Sequence, residues 1–329
     1  MIKIYDSSNS KKRPLNRGFG GVVENENVFD IKEYLKLNNF IILSSPENAD
    51  IIFTNDIFYY EEEYLPNLYP NKIYIKRMDG IFFQNDLKYR NELLNQSACD
   101  ANIVSFISEF SKNSLKGLYP ELKIKNSIVI NNFTNPNFFK KKEFFNNKPL
   151  NALIIATDWK REEKRLNDIL KLKNILIENN ITLHIIGTLD EKINDIKYIS
   201  YGYIKEKEII NEIYNKCDFL INLSYKDACP KTVCNAINCG LPVFYANSGG
   251  VSEIVKENFG SYTNDNLNIM FEEKIPELKQ KILEKDFQLF LNNYELYQQN
   301  LITYLDKKEN FIDFKKMLKK YQEIFSTIS

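Results

Sequence analysis

An α/β fold of two doubly wound domains, each on a parallel sheet, is what this chain of 329 residues predicts. Three observations predict it. Short runs rich in Ile, Val and Tyr recur along the chain and are apolar at consecutive positions, the pattern of strands buried on both faces in a parallel sheet. Between several of these runs lie segments with helical spacing, so strands and helices alternate. The alternation breaks once, near the middle, and then starts afresh.

In the first half the runs are MIKIYD (1–6), FIILSS (40–45), ADIIFTN (49–55), KIYIKRMD (72–79), ANIVSFIS (101–108) and SIVINN (127–132). The segment 26–39 keeps Val28, Ile31, Tyr34 and Leu35 on a helical spacing. TNPNFFKKKEFFNNKPLN (134–151), with two prolines, a lysine run and no clear period, reads as the linker, with the boundary near residue 148. The second half repeats the scheme with LNALIIATD (150–158), TLHIIGT (182–188), IKYISYGY (196–203), CDFLINLS (217–224) and LPVFYA (241–246). Beyond GGVSEIV (249–255) the pattern is mostly helical, and Phe311, Phe314, Leu318, Tyr321 and Ile324 form one stripe near the end, a helix that must dock on something. The expected division is 1–148, 149–305 and a closing helix over 306–329 that packs back toward the first domain. Two such domains imply a central cleft, with ligands at the carboxyl ends of strands, where helix N-termini also lie.

Composition narrows the function classes. Lys and Arg total 44 and Asp and Glu total 44, so net charge is zero and no positive field draws nucleic acid. The hydrophobic share of 43% supplies a sizeable core. No apolar run approaches the roughly 18–20 residues that cross a bilayer, and the N-terminus turns polar too soon for a signal peptide. Five cysteines, an odd number, suggest free thiols in a reducing compartment. A cytoplasmic location is expected, at most peripheral at the inner face of a membrane.

The stretch LSYKDACPKTVCNAINCGLPVFYANSGGVSEIV (223–255) carries the most chemistry. Pro230 is expected at the first helical position, which leaves the N–H groups of Lys231, Thr232 and Val233 without helical partners. Those donors and the positive end of the helix dipole suit a diphosphate. Asp227 falls outside the helix and is poorly placed as its cap. The stretch resembles the retaining glycosyltransferases of family 4, which have the GT-B fold of two Rossmann-like domains. The subgroup it resembles most reads Asp-x-Cys-Pro-Asn at the helix start, and the positions here are Asp227, Cys229, Pro230 and Lys231. ATDWKREEKR (156–165), LHIIGT, ISYGYIKEKEI (199–209), KRMDGIFF (76–83), FISEFSK (106–112) and VINNFTNPNFF (129–139) fall in the family's order, so the resemblance covers nearly the whole chain.

The resemblance implies transfer of a sugar from a nucleotide-diphosphate donor to an acceptor hydroxyl with retention, in surface glycan or glycoconjugate synthesis, without a metal or other cofactor. The first domain would serve the acceptor and the second the donor, and closure of the cleft would exclude water. Acceptors in such families range from lipid-linked oligosaccharides to other glycans and proteins. Asp227 would contact sugar hydroxyls, and Lys164, supported by a cation such as Arg161, would hold the donor phosphate. Cys229, Lys231 and Thr232 would line the donor side, and Tyr203 and Ile204 would lie by the base. Asn235 stands where the family has a glutamate that binds the ribose. An amide has one acceptor oxygen and no charge, so a weakened or differently posed nucleotide is expected. Trp159 stands where relatives often carry an arginine.

Lys164 and Arg165 have no local reason to sit in the first turn of a helix starting near Glu162, where the dipole disfavours cations. In NRGFGGVVEN (16–25), Gly18, Gly20 and Gly21 allow close backbone approach, either to a phosphate and acceptor or in a plain strand–helix turn. The family's histidine of this domain is missing. Asp79 could face the donor sugar, Arg77 could bind a phosphate or an acidic acceptor, and the Ser108–Phe110 turn is a weaker acceptor-side candidate. The single histidine, His184, reads as a core or sheet-edge residue inside its strand. Cys229, Cys234 and Cys239 recur every five positions and so point apart on a helix, which makes them buried thiols rather than a metal site. Two rivals remain: a non-catalytic GT-B binding partner, favoured by Asn235, Trp159 and the missing histidine, and a nucleotide-sugar hydrolase or epimerase of the same fold.

Overall fold

The computed structural model describes residues 1–7, 26–55, 57–60, 63–83, 88–141, 150–190, 192–256, 258–265, 274–306 and 314–327. The glycines at 18, 20 and 21, the boundary near residue 148 and Phe311 lie outside the described residues. The chain divides into two compact units, Met1–Asn132 with Phe314–Ser329, and Phe133–Asn268 with Lys274–Asp313.

In the first unit the elements run β1 (Lys3–Asp6), α1 (Glu26–Leu37), β2 (Ile41–Leu43), β3 (Ile51–Thr54), β4 (Tyr59–Tyr60), β5 (Glu63–Tyr64), α2 (Leu65–Leu68), β6 (Ile73–Met78), α3 (Lys88–Asp100), β7 (Ile103–Phe106), α4 (Glu109–Leu118) and β8 (Ser127–Val129). Six of the strands form one parallel sheet in the order β2-β1-β3-β6-β7-β8, so the order reverses between β1 and β3. The β4–β5 pair is a separate antiparallel ribbon. Central strands such as β3 are buried at every residue, while the edge strands β2 and β8 are partly exposed. That burial is why their sequences read as unbroken apolar runs rather than as alternation. One face of the sheet packs Ile52, Phe58, Tyr74, Met78, Val104 and Phe106 against Leu94, Ala98 and Leu115 of α3 and α4. The other receives α1 and α12 (Phe314–Thr327), whose Phe325 ring lies edge-on 5.5 Å from Phe53. Met317, Leu318, Tyr321, Ile324 and Phe325 form the buried stripe of α12.

The second unit runs β9 (Asn151–Asp158), α5 (Leu166–Leu170), α6 (Lys173–Glu178), β10 (Thr182–Thr188), β11 (Tyr198–Ser200), α7 (Lys207–Tyr214), β12 (Phe219–Asn222), α8 (Lys231–Asn238), β13 (Val243–Asn247), α9 (Val251–Val255), β14 (Gly260–Asn264), α10 (Gln280–Asn292) and α11 (Tyr294–Leu305). Its parallel sheet has the order β11-β10-β9-β12-β13-β14, so the reversal falls between β9 and β12. Phe219 and Phe244 on neighbouring strands meet Phe287 and Phe290 of α10 at 5.1–6.0 Å between ring centroids. Residues 133–140 also pack here: Phe139 is edge-on to Tyr214 at 5.8 Å, and Lys140 N–H donates to Asn211 Oδ1 at 3.2 Å. Each unit is therefore a doubly wound α/β layer, as the sequence predicts.

Candidate functional site

Ligands of open parallel sheets gather beyond the carboxyl ends of the strands where strand order reverses, because the flanking loops part there and helix N-termini face the gap. In the second unit that point is marked by Asp158 at the end of β9 and Asn222 at the end of β12. The loop after β9 carries Lys164 and the loop after β12 carries Asp227. Their side chains meet, with Lys164 Nζ 3.2 Å from Asp227 Oδ2, although 63 residues separate them in sequence. Side-chain exposures of 17% and 25% leave both within reach of a ligand. These are the two residues to which the resemblance gives the donor's phosphate and sugar.

The local backbone differs from the sequence expectation around Lys164. No continuous helix begins at Glu162: Glu162–Lys164 is a single 3₁₀ turn, Arg165 adopts a left-handed conformation (φ 54°), and α5 starts at Leu166. Lys164 thus closes a tight turn instead of opposing a helix dipole. Arg165 has a structural duty. Its guanidinium is buried, pairs with Asp265, donates to Pro276 O at 2.6 Å and lies 3.6 Å from Asp168. Asp168 in turn accepts from Lys171 at 2.6 Å and from Leu278 N–H at 3.2 Å.

Arg161 sits in the same turn but binds Glu163, its Nε donating to Oε1 at 2.6 Å. Trp159 is buried, and its indole donates to Ile186 O at 3.0 Å. Gly187 makes this packing possible: at φ +120°, a Cβ there would lie 2.1 Å from Ala156 O and 3.2 Å from the Trp159 indole nitrogen.

Asp227 is held through its backbone. Gly250 N–H donates to Asp227 O at 2.9 Å, and a side chain at Gly249 would come within 2.3 Å of the same oxygen. The SGG run after β13 therefore fits closely under the Asp227 loop, which leaves the carboxylate turned to Lys164.

Helix α8 begins at Lys231, so Pro230 is its N-cap (φ −64°, ψ 121°) and not the first helical residue. The Val233 N–H donates to Pro230 O at 3.1 Å, which removes it from the donors expected there. No side chain caps this end, in keeping with Asp227 lying outside it. Lys231 was expected to line the donor side, but its Nζ donates to Phe133 O, with the Phe133 ring centroid 5.5 Å away. Thr232 Oγ1 accepts from Asn222 Nδ2 at 3.4 Å, and Cys229 is buried. Asn235 is only 6% exposed, and its Oδ1 accepts from Thr134 Oγ1 at 2.9 Å. Thr134 thus donates to the amide oxygen that the resemblance would offer to a ribose, a partner no spacing in the sequence could reveal. Tyr203 is half exposed beyond β11, two strands and about 10 Å from β9, with the neighbouring Gly202 O accepting from Gly187 N–H at 2.7 Å. Ile204 follows it, partly exposed.

In the first unit Arg77 lies near the end of β6 and Asp79 directly follows it, one strand beyond the β1/β3 reversal. Arg77 is 1% exposed, pairs with Asp79 and donates to Asn132 Oδ1 at 2.5 Å. The guanidinium that the sequence offers to a phosphate or acidic acceptor is thus enclosed at its strand end, with Asp79 and Asn132 as partners. The Asp79 side chain keeps 38% exposure, and Asn55 Nδ2 reaches it at 3.4 Å. Ser108 caps α4, accepting from Ser111 N–H at 2.9 Å.

His184 is a sheet residue, with Nδ1 2.8 Å from Tyr201 Oη and Nε2 3.1 Å from Asn151 Oδ1, and burial lowers its pKa. Nearby Asp218 accepts from Asn151 N–H at 2.6 Å, yet burial pushes its carboxyl up to about 6. Cys229, Cys234 and Cys239 are buried free thiols, and burial raises the pKa of Cys239. Among the described residues no helix is long and apolar enough to cross a membrane.

Comparison with known proteins bears on the fold and on the second half of the chain. By sequence the chain matches no curated protein. Its fold is shared along its length with sucrose-phosphate synthase of Thermosynechococcus elongatus (TM-score 0.70, 11% identity, 100% of this chain and 99% of that one). WaaG, a glycosyltransferase involved in lipopolysaccharide biosynthesis, is similar at TM-score 0.66 and 12% identity, covering 99% of this chain and 100% of its own. HepE of Anabaena, solved with UDP and glucose, is similar at TM-score 0.61 and 14% identity, with 99% and 100% covered. Residues 137–288, which include Lys164, Asp227 and α8, match the family model of the glycosyl transferases group 1, and they do so within a chain that has the GT-B fold.

Proposed function

We propose that the protein transfers a glycosyl group from a nucleotide-diphosphate sugar to an acceptor hydroxyl with retention, in the synthesis of a surface glycan or glycoconjugate. One observation carries this reading: the Lys164–Asp227 pair at the strand-order reversal of the second sheet, beside the start of α8. The acceptor oxygen would bond to the anomeric carbon while the bond to the diphosphate oxygen breaks. The electron pair leaves with the phosphate, and the acceptor proton passes to that oxygen. Lys164 and the first-turn N–H groups of α8 are suited to the charge that grows on the leaving group, and Asp227 to accepting hydrogen bonds from sugar hydroxyls. The donor displaces Lys164 from Asp227 in part, since the ammonium has three hydrogens to share. The family match over 137–288 and a neighbour solved with UDP and glucose support the same reading.

Cationic and helix-end neutralisation of the diphosphate makes a divalent ion dispensable in this proposal, so EDTA should leave turnover unchanged. Screening nucleotide sugars by mass spectrometry, with Asp227→Ala as control, tests the activity. Transfer that disappears in the variant supports it, and release of free sugar insensitive to any acceptor points to a hydrolase instead. A second reading, a non-catalytic GT-B partner, draws on the Thr134–Asn235 bond, which occupies the amide oxygen where a ribose would bind. Absence of any thermal shift with UDP, GDP, ADP or their sugars would favour it.

A further inference from the structure

The loops after β9 and β12 share a feature that the ion pair alone does not require. Each places a non-glycine residue in the left-handed region directly beside a paired side chain: Arg165 (φ 54°) next to Lys164, and Lys226 (φ 52°) next to Asp227. Backbone of this kind persists only where its surroundings over-determine it. Both residues aim their cations at one ring. The guanidinium carbon of Arg165 lies 4.8 Å and Lys226 Nζ 4.7 Å from the centroid of Tyr225. All three residues are buried, at 4%, 6% and 7% exposure. The Tyr225 N–H also donates to Glu163 O at 2.8 Å, so its backbone ties to the turn that its ring engages. Arg165 is fixed on its other side by Asp265 and Pro276 O, and Lys226 N–H donates to Ser248 Oγ at 3.2 Å.

We propose that Tyr225 is a positioning residue, whose ring holds the two loops in the register that sets Lys164 against Asp227. The inference rests on the donor-site reading of those two residues. A ring suits the task better than a carboxylate would. Its quadrupole attracts desolvated cations, but it carries no net charge to compete with Asp227 for Lys164. Tyr225 acts through its neighbours and does not touch the reacting atoms.

The test compares Tyr225→Phe, which keeps the ring, with Tyr225→Leu, which keeps apolar bulk and loses the quadrupole. Amide hydrogen exchange and titration with UDP, then GDP and ADP, are read on both. In Tyr225→Leu the amides of Lys164, Arg165 and Tyr225 should exchange at least about tenfold faster, and diphosphate affinity should fall about tenfold, with β10 protection and the melting temperature held. Tyr225→Phe should match the wild type in both. Unchanged exchange in a folded Tyr225→Leu overturns the proposal, as does a Tyr225→Phe that behaves like Tyr225→Leu. Lys226→Met removes one cation and keeps the ring. It should loosen the same amides to a lesser degree and decides the matter if Tyr225→Leu does not fold, with unaltered exchange again overturning the proposal. A wild type that binds none of the three diphosphates sinks the donor-site reading, while the exchange data still judge the role of Tyr225.

Discussion

Two ion pairs stand at the carboxyl ends of the two sheets, and they differ in kind. Arg77 and Asp79 are two residues apart at one strand end, and the guanidinium is buried. Lys164 and Asp227 come from two loops on either side of a strand-order reversal, and both side chains remain partly exposed. A pair within one strand end stiffens that end, and only its carboxylate partner, Asp79, remains exposed. A pair across a reversal spans the place where the loops part, so a ligand can take over either partner. Position in the topology, more than residue type, separates the proposed donor site from the strand-end pair.

The sharpest way to break this contrast is Lys164→Ala. Losing a cation that stabilises developing charge should lower turnover about 10²–10³-fold, measured as product formation with any accepted donor, while the melting temperature changes little. Arg77→Met should do the reverse. It removes the guanidinium from Asp79 and from the Asn132 amide, for a loss of about 2 kcal/mol in denaturant unfolding with diphosphate affinity unchanged. A loss of affinity in folded Arg77→Met would erase the distinction. Asn235→Glu sharpens the donor side: a charged acceptor makes stronger bonds than an amide, so UDP should bind roughly five- to tenfold tighter in calorimetry. Weaker binding would show that the Thr134–Asn235 bond has its own role.

The smallest effect concerns the opposite, amino end of the second sheet. Asp218 has its pKa raised to about 6 by burial, so its folded state binds the proton more tightly than its unfolded state does. Its stabilising contribution is complete below the unfolded value of 3.8 and is lost as pH rises through about 6. His184 works the other way, since its depressed pKa removes stability as pH falls below 6.5. Asp218→Asn should therefore raise stability above pH 6 by about 1 kcal/mol, after allowance for solvent screening, and keep the His184 slope in melting temperature against pH.

The strands were legible because burial on both faces writes itself as consecutive apolar residues, and β3 and β12 are buried throughout. The stripe of α12 was legible for a similar reason, since one face meets a sheet. Lys164 and Asp227 could be paired only through the resemblance, because 63 residues separate them and no spacing rule joins loops of different strands. Arg165 misled through the dipole argument. An arginine in a left-handed turn has no sequence signature, the usual occupants being glycine and asparagine. The burial of Arg77 was not legible, because a charged residue at a strand end looks available, whereas Asn132, far along the chain, accepts from its guanidinium. Tyr225 was hidden for the same reason: its importance lies in cations supplied by its neighbours' backbone geometry.

The central claim is that Lys164 holds the second phosphate of a nucleotide at the strand-order reversal. Calorimetric titration of the wild type and Lys164→Ala with paired nucleoside diphosphates and monophosphates tests it most directly. The account predicts that the wild type prefers one diphosphate to its monophosphate, and that Lys164→Ala loses at least about tenfold of that preference while monophosphate binding stays the same. Equal diphosphate affinity in the two proteins, or no diphosphate binding by the wild type, would contradict it.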